Sequence, residues 1–215
     1  MRAVTFDGKL TVQANHPEPR AGEGECLVRV HLAGVSAADL RIAGGRTAFR
    51  GVLGHEMVGT VVTGSAGWRG KRVVCDPDCV CRRCDLCLSG LSRHCRKRVV
   101  MGVEGRDGCF ADRVAVPERN LHEVPDAVTD EEAVFVDTLA SACHVLTQCP
   151  VEPRWNVSVV GAGRLGLLVA KVLKNTGCKL TVIGRTPAKL LLCEKKGIQA
   201  IPAAELTPKH DRELV

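Results

Sequence analysis

At 215 residues, 45% hydrophobic and 25% charged, the chain is long enough for one large packed domain or two small ones. A net charge of +6 and few aromatics (four Phe, two Trp, no Tyr) give a base-stacking nucleic-acid surface little to work with. No stretch approaches the roughly 18 apolar residues of a membrane span, and Met1 to Asp7 has no signal-peptide core, so twelve Cys point to a reducing, cytoplasmic setting.

Residues 1–70 read as β-rich. Cys26, Val28, Val30 and Leu32 alternate with Leu27, Arg29, His31 and Ala33, the period of a half-buried strand. Val52 to Val62 is a second strand-like run whose glycines allow bends. After a cysteine-rich loop, Gly102, Gly105 and Gly108 break the chain before a strand from Phe110 to Pro117. The apolar pattern of residues 130–148 predicts one or two helices. Beyond Pro150 a short apolar strand, Asn156 to Val160, enters a glycine-rich turn and a helical run from Leu167 to Thr176. Gly177 caps that run, and Lys179 to Gly184 and Gln199 to Ile201 follow as strands.

Cys81, Cys84 and Cys87 stand at two-residue spacing, and Cys95 follows after a longer gap. Three thiols at that spacing curl a loop around one point and the fourth completes a tetrahedron of sulfurs, the ligand set of a closed structural zinc site. An iron–sulfur cluster is the nearest rival. Its bacterial spacing brings the fourth Cys sooner and follows it with Pro, whereas Arg96 follows Cys95 here. The basic run from Arg93 to Arg98 reads as a solvated face of this loop rather than an anion site. A closed site does no chemistry, so function must lie elsewhere.

The turn Gly161-Ala162-Gly163-Arg164-Leu165-Gly166 follows a strand, opens a helix and precedes a second strand. That context is what a βαβ dinucleotide-binding motif requires, with the helix N-terminus offering N–H donors to a pyrophosphate. Second strands of NAD sites usually end on an acid that bonds the ribose 2′-hydroxyl. Here Gly184 and Arg185 stand there and no acid comes before Glu194. Room and positive charge at that point predict NADP(H) over NAD(H).

Gly54-His55-Glu56, the four-cysteine loop, the segment from Gly108 to Asp112, the segment from Asp137 to Ala140 and the Gly161–Gly166 turn occur in one order. In that order they resemble the zinc-type medium-chain alcohol dehydrogenase family, with polyol, threonine and bacteriochlorophyllide dehydrogenases the most similar members. The resemblance implies an α/β plus β fold: a GroES-like irregular β-barrel catalytic domain over residues 1–150, with the zinc loop at 75–98, then the first half of a Rossmann sheet over residues 151–215. It implies hydride transfer between an alcohol or polyol and the nicotinamide, usually on a catalytic zinc, in a homo-oligomer. Carried over by residue, His55 and Glu56 match the catalytic motif, Asp39 the carboxylate that orients the histidine, and Asp137 the remaining ligand position, where many relatives carry Glu. Ser36 stands where the family has a thiolate ligand, and Ala38 where many members have a proton-relaying hydroxyl. Loss of the thiolate weakens the zinc site the resemblance implies.

Glu213 to Val215 reads as the start of a fourth parallel strand. A chain ending there lacks the nicotinamide half of a dinucleotide domain, so a truncated frame or fragment, impaired in turnover, is expected. Two other readings stay open. One is a zinc-independent reductase similar to quinone reductases, which lack the cysteine loop. The other is a non-catalytic, zinc-stabilised binding protein.

Overall fold

The computed structural model describes residues 1–206, packed as two units, Met1–Asp137 and the residues from Thr138 on. In the first unit, β1 (Ala3–Phe6), β2 (Leu10–Gln13), β3 (Glu25–Gly34), α1 (Ala37–Ala43), β4 (Gly51–Val52), β5 (Glu56–Thr63) and β6 (Arg72–Cys75) precede the cysteine loop. β7 (Asp78–Cys79), α2 (Asp85–Leu88) and β8 (Val99–Met101) frame it. β9 (Gly105–Arg106), β10 (Arg113–Pro117), β11 (Leu121–Glu123) and α3 (Asp130–Ala133) follow, and α4 (Val136–Gln148) leads into the second unit.

The first unit is built on an antiparallel sheet of order β10-β3-β5-β6-β11, the curled half-barrel of a GroES-like domain. Successive side chains of a strand face opposite ways. Met57, Val61, Val73 and Cys75 therefore join Cys26, Val28, Val114 and Val116 in the main core. Val58 and Val74 face the other way, onto Val124, Ala133 and Val134. A smaller sheet, β2-β1-β4, and the buried side chains Phe6, Ile42, Phe49 and Leu53 close one end.

Two features depart from the simple strand pattern. The alternation in β3 holds for Cys26 and Val28 but fails at Leu32, which is 37% exposed. Of two register shifts against β5, the one between Leu27 and Val28 leaves Val62 of β5 extra and the one between Val30 and Leu32 leaves His31 of β3 extra, and such bulges turn a strand and re-aim its side chains. The run from Val52 to Val62 is also two strands. β4 pairs with β1 and β5 with β3 and β6, and between them Gly54 adopts φ +93°, open to few residues besides glycine.

The second unit carries a parallel sheet of order β12-β13-β14, with β12 (Asn156–Val160), α5 (Arg164–Lys174), β13 (Lys179–Gly184), α6 (Pro187–Glu194) and β14 (Gln199–Pro202). Ala170 and Leu173 of α5 and Leu190 and Cys193 of α6 pack with Leu180, Val182 and Ile198, the partial Rossmann region of the fold. Helix α5 starts at Arg164, three residues before the run read from the sequence, because Gly163 takes the N-cap. Helix α6, not among the elements expected from the sequence, carries a local start signal in Thr186 at the N-cap with Pro187 after it. The strand expected at Glu213 lies outside the described residues. Among the described residues no helix is long and apolar enough to cross a membrane.

A Cβ at Gly54 would lie 2.3 Å from Cδ1 of Phe110. Gly54→Ala therefore combines a backbone penalty with a ring clash, and it is expected to destabilise the chain by about 2 kcal/mol or more. Urea unfolding tests this, and an unchanged midpoint would contradict the role given to Gly54.

Candidate functional site

Three groups of chemistry-bearing residues emerge from the fold. The first is the cysteine lobe. Cys84 sits in extended backbone at the start of α2, Cys87 rides on that helix, and a 3₁₀ turn over Ser92–His94 returns Cys95. Arg82, with φ +55°, makes the tight turn between Cys81 and Cys84. The four sulfurs lie within 4.8 Å of one another, and the Cys81 and Lys97 N–H groups both donate to Cys95 Sγ at 3.4 Å. The Arg83 backbone N–H above all holds Cys81 down at about 6, while burial pushes Cys87 up to about 12. Four sulfurs around one point could hold a tetrahedral ion with no position left for substrate. The basic run is largely paired: Arg93 and Arg98 reach Asp78, and Arg96 reaches Asp85. Cys26, Cys75 and Cys109 lie elsewhere as core residues, their thiols pushed up by burial.

In the second group His55 and Glu56 are buried and Asp137 is half-buried. His55 lies just before β5, Glu56 begins it, and Asp137 stands in the first turn of α4. Their ligand atoms lie within 4.8 Å of one another. Behind His55, Asp39 Oδ1 approaches Nδ1 at 3.7 Å, and neither atom has a hydrogen-bond partner among the described residues. Burial works against charge on both groups. The attraction of Asp39, Asp137 and Glu56 nevertheless leaves His55 raised, and the pull of His55 with hydrogen bonds from Ser36 leaves Asp39 lowered. Asp137 is raised, first by burial and then by the neighbouring acids, although His55 opposes this. Crowded buried carboxylates beside an imidazole are the donor set that a divalent cation neutralises.

Ser36 is not free to join them. Its hydroxyl accepts from the N–H groups of Ala38 (3.1 Å) and Asp39 (3.3 Å) and donates to Asp39 Oδ2 at 2.7 Å. The Ser36 N–H donates to the same carboxylate oxygen, closing a capping box on α1. The Ser-x-x-Asp pattern from Ser36 to Asp39 is a form of that box and was legible in the sequence. The Ser36 hydroxyl thus orients Asp39, which in turn faces His55.

The third group is the glycine turn. Gly161 ends β12 with φ +112°, and a Cβ on Gly166 would strike the Gly161 carbonyl oxygen at 1.8 Å, so helix and loop close on each other only through glycine. A Cβ on Gly161 or Gly163 would meet nothing within 4 Å, and α5 has no side-chain cap at its start. The open space faces uncapped N–H groups, a cradle for an anionic group. Arg164 is half-buried, and Leu165 and Arg185 are exposed. Gly184 packs tightly instead: a Cβ there would meet Ala162 Cβ at 2.8 Å.

A family model described as the alcohol dehydrogenase GroES-like domain matches residues 22–126. The L-threonine 3-dehydrogenase of Streptomyces coelicolor is 36% identical over 182 residues, covering 79% of this chain and 52% of the relative. An alcohol dehydrogenase from Escherichia coli CFT073, solved in complex with NADH, has a TM-score of 0.89 at 29% identity, covering 95% of this chain and 63% of that one. A zinc-binding dehydrogenase from Sinorhizobium meliloti 1021, solved bound to NADP, has a TM-score of 0.82 at 28% identity, covering 94% and 60%. The chain belongs to the zinc-type medium-chain alcohol dehydrogenase family. It spans about half the length of the curated relatives it matches.

The Asp39–His55 pair makes stability depend on pH. Asp39, lowered from 3.8, contributes above its ordinary value and loses the contribution as pH falls through its folded value. His55, raised from 6.5, contributes below its ordinary value and loses the contribution as pH rises through its raised one. In metal-free protein, Asp39→Asn is therefore expected to cost most stability between those limits and less both in acid and in alkali. Denaturation midpoints across pH test this, and a cost that keeps growing as pH rises above the raised His55 value would contradict the pairing.

Proposed function

We propose that the chain carries the metal-binding and nucleotide-binding parts of a zinc-containing, NADP-dependent oxidoreductase. The reaction moves a hydride between a small alcohol or polyol and the nicotinamide. The observation that carries the proposal is the buried group His55, Glu56 and Asp137, backed by Asp39. These residues fit a divalent ion: one imidazole and two carboxylates supply donors and compensating charge, and the atoms of the Asp39–His55 pair that lack hydrogen-bond partners suit an oriented ligand histidine. When bound, zinc there supplies a Lewis acid for the substrate oxygen.

The chain's own residues do the positioning. Asp39 faces His55 Nδ1, leaving Nε2 as the ring's ligand nitrogen, and the Ser36 capping box keeps that carboxylate in place. Glu56 and Asp137 offer anionic oxygens from two separate elements. Cys81, Cys84, Cys87 and Cys95 hold a second, structural zinc, which supports this reading over a quinone-reductase-like one. The first N–H groups of α5, with Gly161 and Gly163 open in front of them, receive the pyrophosphate. Exposed Arg185 offers its guanidinium to a 2′-phosphate.

Binding experiments test both halves. NADPH is expected to bind more tightly than NADH, and Arg185→Ala to lose about tenfold for NADPH alone, the worth of one charge-assisted hydrogen bond. Tighter NADH binding in the unaltered chain would overturn the cofactor choice. Cys95→Ser is expected to lose one equivalent of tightly held zinc and to unfold at lower temperature; unchanged zinc content would remove the structural role of the loop.

A further inference from the structure

His31 is the extra residue of the bulge in β3, paired with nothing in β5. Its ring is gripped on both sides: Nε2 lies 3.0 Å from Thr60 Oγ1 and Nδ1 lies 3.1 Å from Asp130 Oδ2. One neutral tautomer satisfies both, with the Thr60 O–H donating to Nε2 and the Nδ1–H donating to Asp130. The other carboxylate oxygen, Asp130 Oδ1, accepts from Arg72 Nη1 at 2.9 Å. Arg72 also donates through Nη2 to the Pro125 and Val128 carbonyls, and its own carbonyl accepts from the Val124 N–H. Thr60 and Arg72 are partners across β5 and β6. Two strands, β3 and β6, thus reach one carboxylate at the start of α3, and β5 joins them through Thr60 on His31.

The nucleotide turn and the metal groups do not account for this clamp, and its place in the chain gives it a purpose. Strand β5 begins with Glu56 and carries Thr60 on the same face two repeats of the pleat further on. The segment held by the clamp begins at Asp130 and ends at Asp137. Between the two ends, Ala133 and Val134 of that segment are buried against Val58 and Val74. Glu56 and Asp137 therefore belong to two strips of chain joined by an apolar contact in the middle and a polar clamp at one end. The other end is left to the metal ligands.

We infer that Asp130, held by Arg72 and His31, is a positioning residue that fixes Asp137 against His55 and Glu56 and so sets the affinity of that group for a divalent ion. The inference rests on the metal reading of His55, Glu56 and Asp137. Apolar contacts tolerate sliding, because a valine surface has no preferred register. The bonds of Arg72 to one carboxylate and two carbonyls do not. Without the clamp the segment keeps its burial but loses its register, and a ligand displaced by about 1 Å no longer closes the site.

Cobalt(II) binding to the full chain tests this, because thiolate-bound cobalt absorbs intensely and nitrogen- and oxygen-bound cobalt only weakly, so the two groups are read separately. The unaltered chain is expected to take one ion at each. Asp130→Ala and Arg72→Lys should weaken the second ion by about tenfold or more, the lower end of effects seen for residues that orient metal ligands, with the thiolate band unchanged. Val61→Ala, which destabilises the sheet from its opposite face, should leave that affinity where it was. Equal affinity in Asp130→Ala and the unaltered chain overturns the positioning role while leaving the metal reading intact. An equal loss in Val61→Ala also overturns it. An unaltered chain that takes cobalt only at the thiolates overturns the metal reading and the inference together. If Asp130→Ala loses cooperative unfolding, His31→Gln removes only one of the clamp's contacts; a smaller loss in the same direction supports the inference and no loss overturns it.

Discussion

The two-sidedness of strand β5 is the constraint on which the first unit depends. Met57 and Val61 point into the main core with Val73, Cys26 and Val28, and that burial holds the sheet together. The residues between them are thereby sent to the other face, where Val58 meets Val134 and Thr60 meets His31. Glu56 leads the same strand, so the packing that stabilises the sheet also decides where its carboxylate stands. A one-residue slip of β5 would exchange the two faces and dismantle core and ligand group together.

The chain's two candidate metal groups are opposite in character. Cys81, Cys84, Cys87 and Cys95 are soft donors on a short loop, brought together by local turns. His55, Glu56 and Asp137 are harder donors from distant parts of the sequence, and they depend on the sheet and on α4 for their meeting. Ser36, which stands where the family resemblance implies a thiolate, does not join the second group. Its hydroxyl is spent on Asp39 and the start of α1, so its contribution runs through the orientation of His55 rather than through an ion. A site without thiolate relies on charge and geometry, which gives the elements carrying Asp137 more to do.

What could be read from the sequence follows from how local each feature is. The cysteine spacing and the glycine turn each lie within a few residues, and the structure brings their members together as that spacing suggests. The strand from Lys179 to Gly184 was legible with its exact bounds because its burial is nearly continuous. The bulge at His31, the break at Gly54 and the role of Gly184 in packing on Ala162 depend on partners far along the chain, which periodicity does not see. Asp130 passes for an ordinary helix-start acid until the fold places it beside residues 31 and 72. The capping box at Ser36 is a local pattern of four residues and was legible in the same way.

Whether His55, Glu56 and Asp137 hold a divalent ion although Ser36 gives no thiolate is the question on which the rest turns. Elemental analysis of zinc per chain, on the unaltered protein and on Asp137→Ala, tests it most directly. Two ions are expected in the first and one in the second, with the thiolate ion retained. One ion in both would contradict it and leave the buried group without a metal.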